Sequence, residues 1–276
     1  MEYVQISFEN LHADKAEVLI ALLSNAGFTG FEEADENLKP FIPMSVFDEN
    51  EFDKLIETLG TNYSKSIIKE INWNEKWESD FEPVCIYRKD ETPFVKIRAA
   101  FHAPDTSFEH EVIITPKMSF GTGHHATTYL MVDRMGEIDF KNKKVIDFGT
   151  GTGVLAILAE KLGSTSVIAI DNDDWSINNA LENTEINLCH NVQVMKAETI
   201  SGIAAADIIL ANINLNVIIA NLPAIKEAAL PGAIILFSGI MLTDEETLSE
   251  HILKAGLIMN KVYRRENWLA ISAVNK

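Results

Sequence analysis

The sequence predicts an α/β protein: a mostly parallel sheet with helices on both faces, preceded by a small α+β unit. Two observations carry this. From Lys144 to near its end the chain alternates apolar, strand-like runs with helical runs, the pattern of a parallel sheet covered on both sides. Before that, residues 1–71 follow a separate βαββαβ order. At 276 residues the chain exceeds the usual single domain, so two are expected: 1–71 and 84–276, joined by a linker at 72–83.

In the first of these, Tyr3–Phe8 alternates like a half-buried strand, and Ala16–Ala26 carries apolar residues at helical spacing before Gly27 stops it. Phe28–Phe31 and Leu38–Ile42 read as a strand pair around an acidic turn. Glu49–Leu59 is a helix ended by Gly60, and Ser66–Ile71 is a last strand. This order predicts a small ferredoxin-like sandwich. No catalytic cluster lies in it, so binding is its expected task. Residues 1–72 hold 14 Asp and Glu against 5 Lys and Arg, a net of −9 and half of the whole chain's −18. Such acidity serves solubility or a basic protein partner. It argues against direct nucleic-acid binding, which needs Lys and Arg to replace counterions along the phosphates.

The linker places Trp73 and Trp77 at i and i+4, on one face of any short helix there, either packed on the next domain or touching substrate. Val84–Arg88, Phe94–Ala100 and Glu111–Thr115 suggest three short strands. They lead into the glycine loop of residues 116–128, whose helix runs on through Leu130 and Met131. Thr127 and Thr128 stand near that helix start, where a hydroxyl caps free amides or binds the amino-acid end of a ligand. His124 and His125 are adjacent and point different ways, with no third ligand nearby. No metal site is expected; one histidine should cap the helix and the other wall a pocket.

The most informative stretch follows. The apolar run Lys144-Val145-Ile146 enters Asp147-Phe148-Gly149-Thr150-Gly151-Thr152-Gly153, and the helical run Val154–Ala159 leaves it. Strand, glycine turn and helix build a nucleotide-type pocket, because Gly149, Gly151 and Gly153 let a ligand lie against the main chain. A dinucleotide site wants GxGxxG; here the spacing is GxGxG and Val154 stands where the third glycine belongs. Asp147 at the strand end would repel a pyrophosphate and favour positive charge. S-adenosylmethionine, with an ammonium, a sulfonium and no phosphate, fits. Asp171, 22 residues after Gly149, closes the run Val167–Ile170 where a carboxylate accepts both ribose hydroxyls.

A helix over Trp175–Leu188 and strands over Val192–Lys196 and Ala206–Asn212 come next. Glu198, just past the first of these strands, either meets the adenine or ribose or is a solvated surface residue. Asn212 ends an apolar strand on the carboxyl side of the sheet, where its side chain and nearby carbonyls can hold an amine towards a methyl group. Helix Leu215–Leu230, a Pro231-Gly232 turn, strand Ala233–Phe237, helix Asp244–Ala255 and apolar stretches around Ile258 and Trp268–Val274 complete a seven-stranded, Rossmann-like pattern. No apolar run approaches the ~20 residues that span a bilayer and the amino terminus has no signal pattern, so a cytoplasmic protein without membrane contact is expected. Cys85 and Cys189 are far apart and lack ligand spacing, which predicts two core thiols.

Phe120-Gly121-Thr122-Gly123-His124-His125-Ala126-Thr127-Thr128, Ile146-Asp147-Phe148-Gly149, Ile170-Asp171 and Ala211-Asn212-Ile213 together resemble the PrmA family. These are bacterial methyltransferases of the ribosomal large-subunit stalk protein L11, and the resemblance covers nearly the whole chain. It implies a class I methyltransferase domain and transfer of methyl groups from S-adenosylmethionine to lysine ε-amines and an α-amine. It also implies that the N-terminal domain grips the basic ribosomal protein. Thr128, Gly149, Asp171 and Asn212 match the family's cofactor positions. Two departures, Thr150-Gly151-Thr152 in place of Cys-Gly-Ser and Ala126 in place of a frequent Pro, keep the turn chemistry.

Methyl transfer is an in-line displacement that mainly needs a positioned neutral amine and a dry pocket. No dedicated general base stands out. Phe120 and Asn212, with Trp268, are therefore expected to line the acceptor pocket, in a protein expected to be a monomer. Two rivals stay open: a methyltransferase of an amide or nucleobase, and a non-catalytic S-adenosylmethionine-binding protein. The first usually has Pro-Pro and an aromatic after the strand-end Asn, where this chain has Ile213-Asn214-Leu215.

Overall fold

Residues 2–8, 11, 13–34, 37–59, 61–69, 81–117 and 121–276 are described in the computed structural model, and the chain divides into two units, Met1–Lys76 and Trp77–Lys276. Trp73, Trp77 and Phe120 lie outside the described residues.

The first unit runs β1 (Glu2–Ser7), α1 (Ala13–Asn25), β2 (Gly30–Ala34), β3 (Asn37–Pro43), α2 (Glu49–Leu59) and β4 (Ser64–Lys69). Its sheet is antiparallel in the order β2-β3-β1-β4. Period-2 alternation buries Val4 and Ile6 of β1, and Leu19 and Leu23 of α1 meet them with Phe52 and Ile56 of α2. Phe52 meets Tyr63 edge-on, the ring centroids 5.1 Å apart.

The second unit opens with β5 (Val84–Tyr87), β6 (Pro93–Arg98) and β7 (His110–Ile113), a small sheet with β6 in the middle. Arg98 is buried there, its Nε and Nη2 donating to the two Glu111 carboxylate oxygens at 2.9 and 3.2 Å and its Nη1 to the carbonyls of Ala99 and His102, so the charge goes into the interior paired. After α3 (Ala126–Met135) the chain alternates: β8 (Lys144–Phe148), α4 (Val154–Lys161), β9 (Ser166–Asp171), α5 (Asp174–Ile186), β10 (Val192–Lys196), β11 (Ala206–Asn212), α6 (Leu215–Ala228) and β12 (Ala229–Met241). A last helix, α7 (Glu245–Lys254), precedes the hairpin β13 (Ile258–Arg265) and β14 (Trp268–Val274).

These strands form one sheet in the order β10-β9-β8-β11-β12-β14-β13, parallel except that β14 is antiparallel to both neighbours. Alternate residues feed two cores: Val145, Ile208, Leu210 and Leu236 on one face, Ile146, Ile209, Ala211 and Phe237 on the other. Near-continuous apolar strands are what a sheet buried on both faces requires.

Three local readings need correction. The strand expected at Ala233–Phe237 is part of a longer one that contains the Pro231-Gly232 turn. Ala206 pairs with Ala229 and Ile208 with Ile234, so the residues between bulge outward around Gly232, whose φ of 81° suits only glycine. The helix expected from Asp244 begins one residue later, at Glu245, and is preceded by a 3-10 turn over Leu242–Asp244. Cys85 and Cys189 are half-buried free thiols rather than core residues, because both sit near element ends. Burial still pushes the Cys189 thiol up to about 11, which leaves it protonated and unreactive at neutral pH. Among the described residues no helix is long and apolar enough to cross a membrane.

Candidate active site

Strand order reverses between β8 and β11, and a crevice opens at such a switch point beyond the carboxyl ends of the strands. Asp147, Asp171 and Asn212 occupy those ends on adjacent strands. A cavity of about 450 Å³ lies there, lined by His125, Phe148, Gly149, Gly151, Asp171, Glu198, Asn212, Ile213, Gly239 and Trp268 among others. That volume is in the range of small-molecule pockets.

The glycine turn is built around Asp171. Its Oδ2 accepts the Gly151 amide at 2.9 Å and its Oδ1 the Asp173 amide at 3.1 Å. Each carboxylate oxygen has a second lone-pair direction free for a ligand hydroxyl. Gly149 has φ 77°, and a Cβ there would stand 2.1 Å from Cγ2 of Ile213. On the other side, a Cβ at Gly239 would stand 2.4 Å from the Ile213 carbonyl oxygen. Two glycines thus admit the Asn212-Ile213 segment to the cavity wall. Gly153, with φ 81°, starts α4 and packs on Ala180 of α5, so the close helix contact expected from a third glycine at 154 is made one residue earlier.

Asp147 lies apart from the cavity wall. Its carboxyl is fully buried under the turn, where Oδ2 accepts the Thr150 hydroxyl at 2.6 Å and Oδ1 has no partner in hydrogen-bond geometry. Loss of solvent pushes its pKa up to about 7, with the negative Asp171 adding to the rise and the Thr150 hydroxyl and Ala156 amide opposing it. It braces the turn from beneath through Thr150 and does not reach the cavity wall, because the strand's pleat points residue 147 inward while the chain turns at Gly149.

Around the second glycine loop, His125 does both jobs expected of the histidine pair. Its Nδ1 accepts the Thr127 amide at the start of α3. Its ring also lines the cavity, 4.6 Å from Trp268 in an edge contact. His124 is exposed and packs on Phe81. Thr128 is buried and accepts the Asn212 carboxamide, Nδ2 to Oγ1 at 3.3 Å, which fixes that amide's direction. Asn212 Oδ1 is left buried and without a partner. An unmatched buried acceptor costs on the order of 1–3 kcal/mol, so it marks where a ligand donor belongs. Glu198 is an exposed residue on the cavity rim.

The structure therefore brings Gly149, Gly151, Asp171, Glu198 and Asn212 to one cavity, with Thr128 directly behind Asn212; Asp147 and Gly153 support the turn. Gly239 was not singled out from sequence, although a Ser-Gly pair after an apolar strand was a usable signal, and Ile213 entered only as a motif neighbour of Asn212. The cavity wall holds two carboxylates, Asp171 and Glu198, and no Lys or Arg. Such a wall suits a cationic, phosphate-free ligand, and S-adenosylmethionine is one. Phe148, Ile213 and Val217 add apolar surface for a flat base. Among the described residues no group of His, Cys, Asp and Glu is placed to hold a metal ion.

Comparison with known proteins agrees with this geometry. The sequence matches the family described as Ribosomal protein L11 methyltransferase (PrmA) over residues 7–276. A protein of that name from Porphyromonas gingivalis is 36% identical, covering 98% of this chain and 97% of its own. Another from Chlorobaculum parvum is 36% identical, covering 97% and 95%. The crystal structure of a ribosomal protein L11 methylase from Lactobacillus delbrueckii subsp. bulgaricus superimposes with a TM-score of 0.62 at 25% identity, over 66% of this chain and 95% of that one. Matched from residue 7 to its end, the chain belongs to the ribosomal protein L11 methyltransferase (PrmA) family.

Proposed function

We infer that this protein transfers methyl groups from S-adenosylmethionine to amino groups of ribosomal protein L11, lysine ε-amines and an α-amine. The observation that carries the reading is the buried, unpartnered Oδ1 of Asn212 in the wall of the cavity, in a chain that matches the family from residue 7 to its end. Asp171 would hold the ribose hydroxyls, the Gly149–Gly151 turn the ligand's body, and Thr128 with Asn212 its amino-acid end or the acceptor amine. When bound, S-adenosylmethionine supplies a methyl group on a sulfonium, already an excellent leaving group.

What remains for the chain is positioning. A lysine amine has an unperturbed pKa near 10.4 and attacks only when neutral. The apolar wall of Phe148, Ile213 and Trp268 favours the neutral form by withholding water. Asn212 Oδ1 accepts a hydrogen from that amine and aims its lone pair, and Thr128 keeps the carboxamide from rotating.

The first unit is read as a ferredoxin-like module that grips the substrate: its strand order and its share of the acidic charge suit a basic ribosomal protein. A monomeric enzyme, acting in the cytoplasm without contacting nucleic acid, is consistent with that charge. The test is transfer of labelled methyl to purified L11, with Asp171→Ala as control and mass spectrometry to place the label. Label on L11 amines, absent with the variant, supports the reading. Cofactor binding without labelling of L11 overturns the substrate assignment.

A further inference from the structure

Helix α5 carries a ladder of carboxamides facing the segment that leads into the second glycine loop. Asn187, one residue beyond the helix end, takes the Ile113 amide on its Oδ1 at 3.0 Å and gives Nδ2 to the Ile113 carbonyl at 2.5 Å, as a neighbouring strand would. Asn183 Oδ1 accepts the Thr115 amide at 2.7 Å. Asn179 Nδ2 donates to the Thr115 carbonyl at 3.3 Å. Positions 179, 183 and 187 are four apart, so they share one helix face.

Asn183 also reaches the other way. Its Nδ2 donates to the carbonyl of Thr152 in the cofactor turn at 2.8 Å. The Thr152 hydroxyl in turn donates to the Gly121 carbonyl at 2.8 Å. Both residues have no exposed surface. The turn is thereby tied to the loop at two points, to Thr115 just before it through Asn183 and to Gly121 within it through Thr152 Oγ1. Gly121 fits because it has no side chain; a Cβ there would come within 2.9 Å of that same hydroxyl. Four residues on, His125 enters the cavity wall, and Thr128 holds Asn212.

We propose that Thr152 and Asn183 form a positioning latch that sets the loop bearing His125 and Thr128 against the cofactor turn, so that the acceptor side of the cavity is held in place from the cofactor side. Neither residue lines the cavity, so both act through others. This rests on the methyl-transfer reading above. The latch predicts a split: removing the hydroxyl spares cofactor affinity and slows turnover, because a small displacement of positioning groups costs rate far more than binding.

Thr152→Val, close in size and lacking only the hydroxyl bond, is assayed in the full-length protein with S-adenosylmethionine and L11. The expected result is a fall in kcat of about tenfold or more with the cofactor Kd within about twofold of the parent. Thr152→Ser should restore kcat to within about threefold. Asn183→Ala, the harsher variant, should show the same loss of kcat as Thr152→Val, with lower thermal stability. Asn275→Ala removes a buried amide bonded to the Ala229 carbonyl and should lower stability without this split. Hydrogen exchange gives a second readout: Thr152→Val should speed exchange in peptides covering Gly121–Thr128. Unchanged kcat and exchange in Thr152→Val, an equal kcat loss in Thr152→Ser, or a loss carried wholly by cofactor Kd would each overturn the latch. If the parent protein labels no L11, the methyl-transfer reading fails while the exchange measurement still decides the latch.

Discussion

Replacing Gly149 by alanine should destabilise the second unit by about 2–5 kcal/mol, the sum of two independent costs. Its φ of 77° is left-handed, which costs a residue with a Cβ about 1–2 kcal/mol. The added methyl would lie 2.1 Å from Ile213 Cγ2, when carbon atoms prefer about 3.5–4.0 Å. Ile213 cannot back away, since Gly239 already holds its main chain from the other side and its amide is bonded to the Ser238 carbonyl at 3.1 Å. Overpacking of this kind costs about 1–3 kcal/mol. At about 2–4 °C per kcal/mol for a domain of this size, thermal unfolding should drop by roughly 4–20 °C. A double-mutant cycle with Ile213→Ala isolates the clash: the double variant removes Cγ2 but keeps the backbone strain, so the coupling energy should be about 1–3 kcal/mol. Additivity within about 0.5 kcal/mol would refute the steric argument and leave backbone strain as the whole effect.

Three further substitutions probe the site. Asp171→Ala removes the carboxylate that both organises the Gly151 amide and faces the cavity; at about 1.5–3 kcal/mol for each lost charged hydrogen bond, calorimetry should show cofactor binding weakened at least a hundredfold. Asn212→Ala deletes an acceptor that is unmatched in the structure, so kcat/KM should fall by about a hundredfold while the melting temperature holds; a large loss of stability with little loss of activity would contradict the assigned role. Asp147 binds its proton more tightly folded, near pH 7, than its ordinary 3.8. Its contribution is thus fully present below pH 3.8 and is lost as pH rises to about 7, a penalty on the order of 4 kcal/mol. Asp147→Asn abolishes that titration, so melting curves at pH 5 and pH 8 should show the variant gaining on the parent at the higher pH; parallel profiles would disprove the buried charge.

How far the sequence reached depended on the range of the interactions involved. Glycines that need left-handed backbone, acidic residues ending apolar runs, and alternating apolar periods are local properties, so the cofactor turn, Asp171, Asn212 and the order of strands and helices could be read directly from the chain. The same holds for the wall's chemistry, because Lys and Arg are missing from all three strand-end motifs. Depth of burial was not legible. Asp147 and Asp171 stand at equivalent strand ends in sequence, yet the turn covers the first and leaves the second facing the cavity, since only the folded sheet decides which side of the pleat meets solvent. The bulge in β12 is a matter of register against β11, which no single segment encodes. His125 serves as both cap and wall because Trp268, about 140 residues away, arrives beside it. The Asn183–Thr152–Gly121 connection joins three segments far apart in the chain, and hydrogen bonds of that kind exist only once tertiary packing has brought their donors and acceptors within 3 Å.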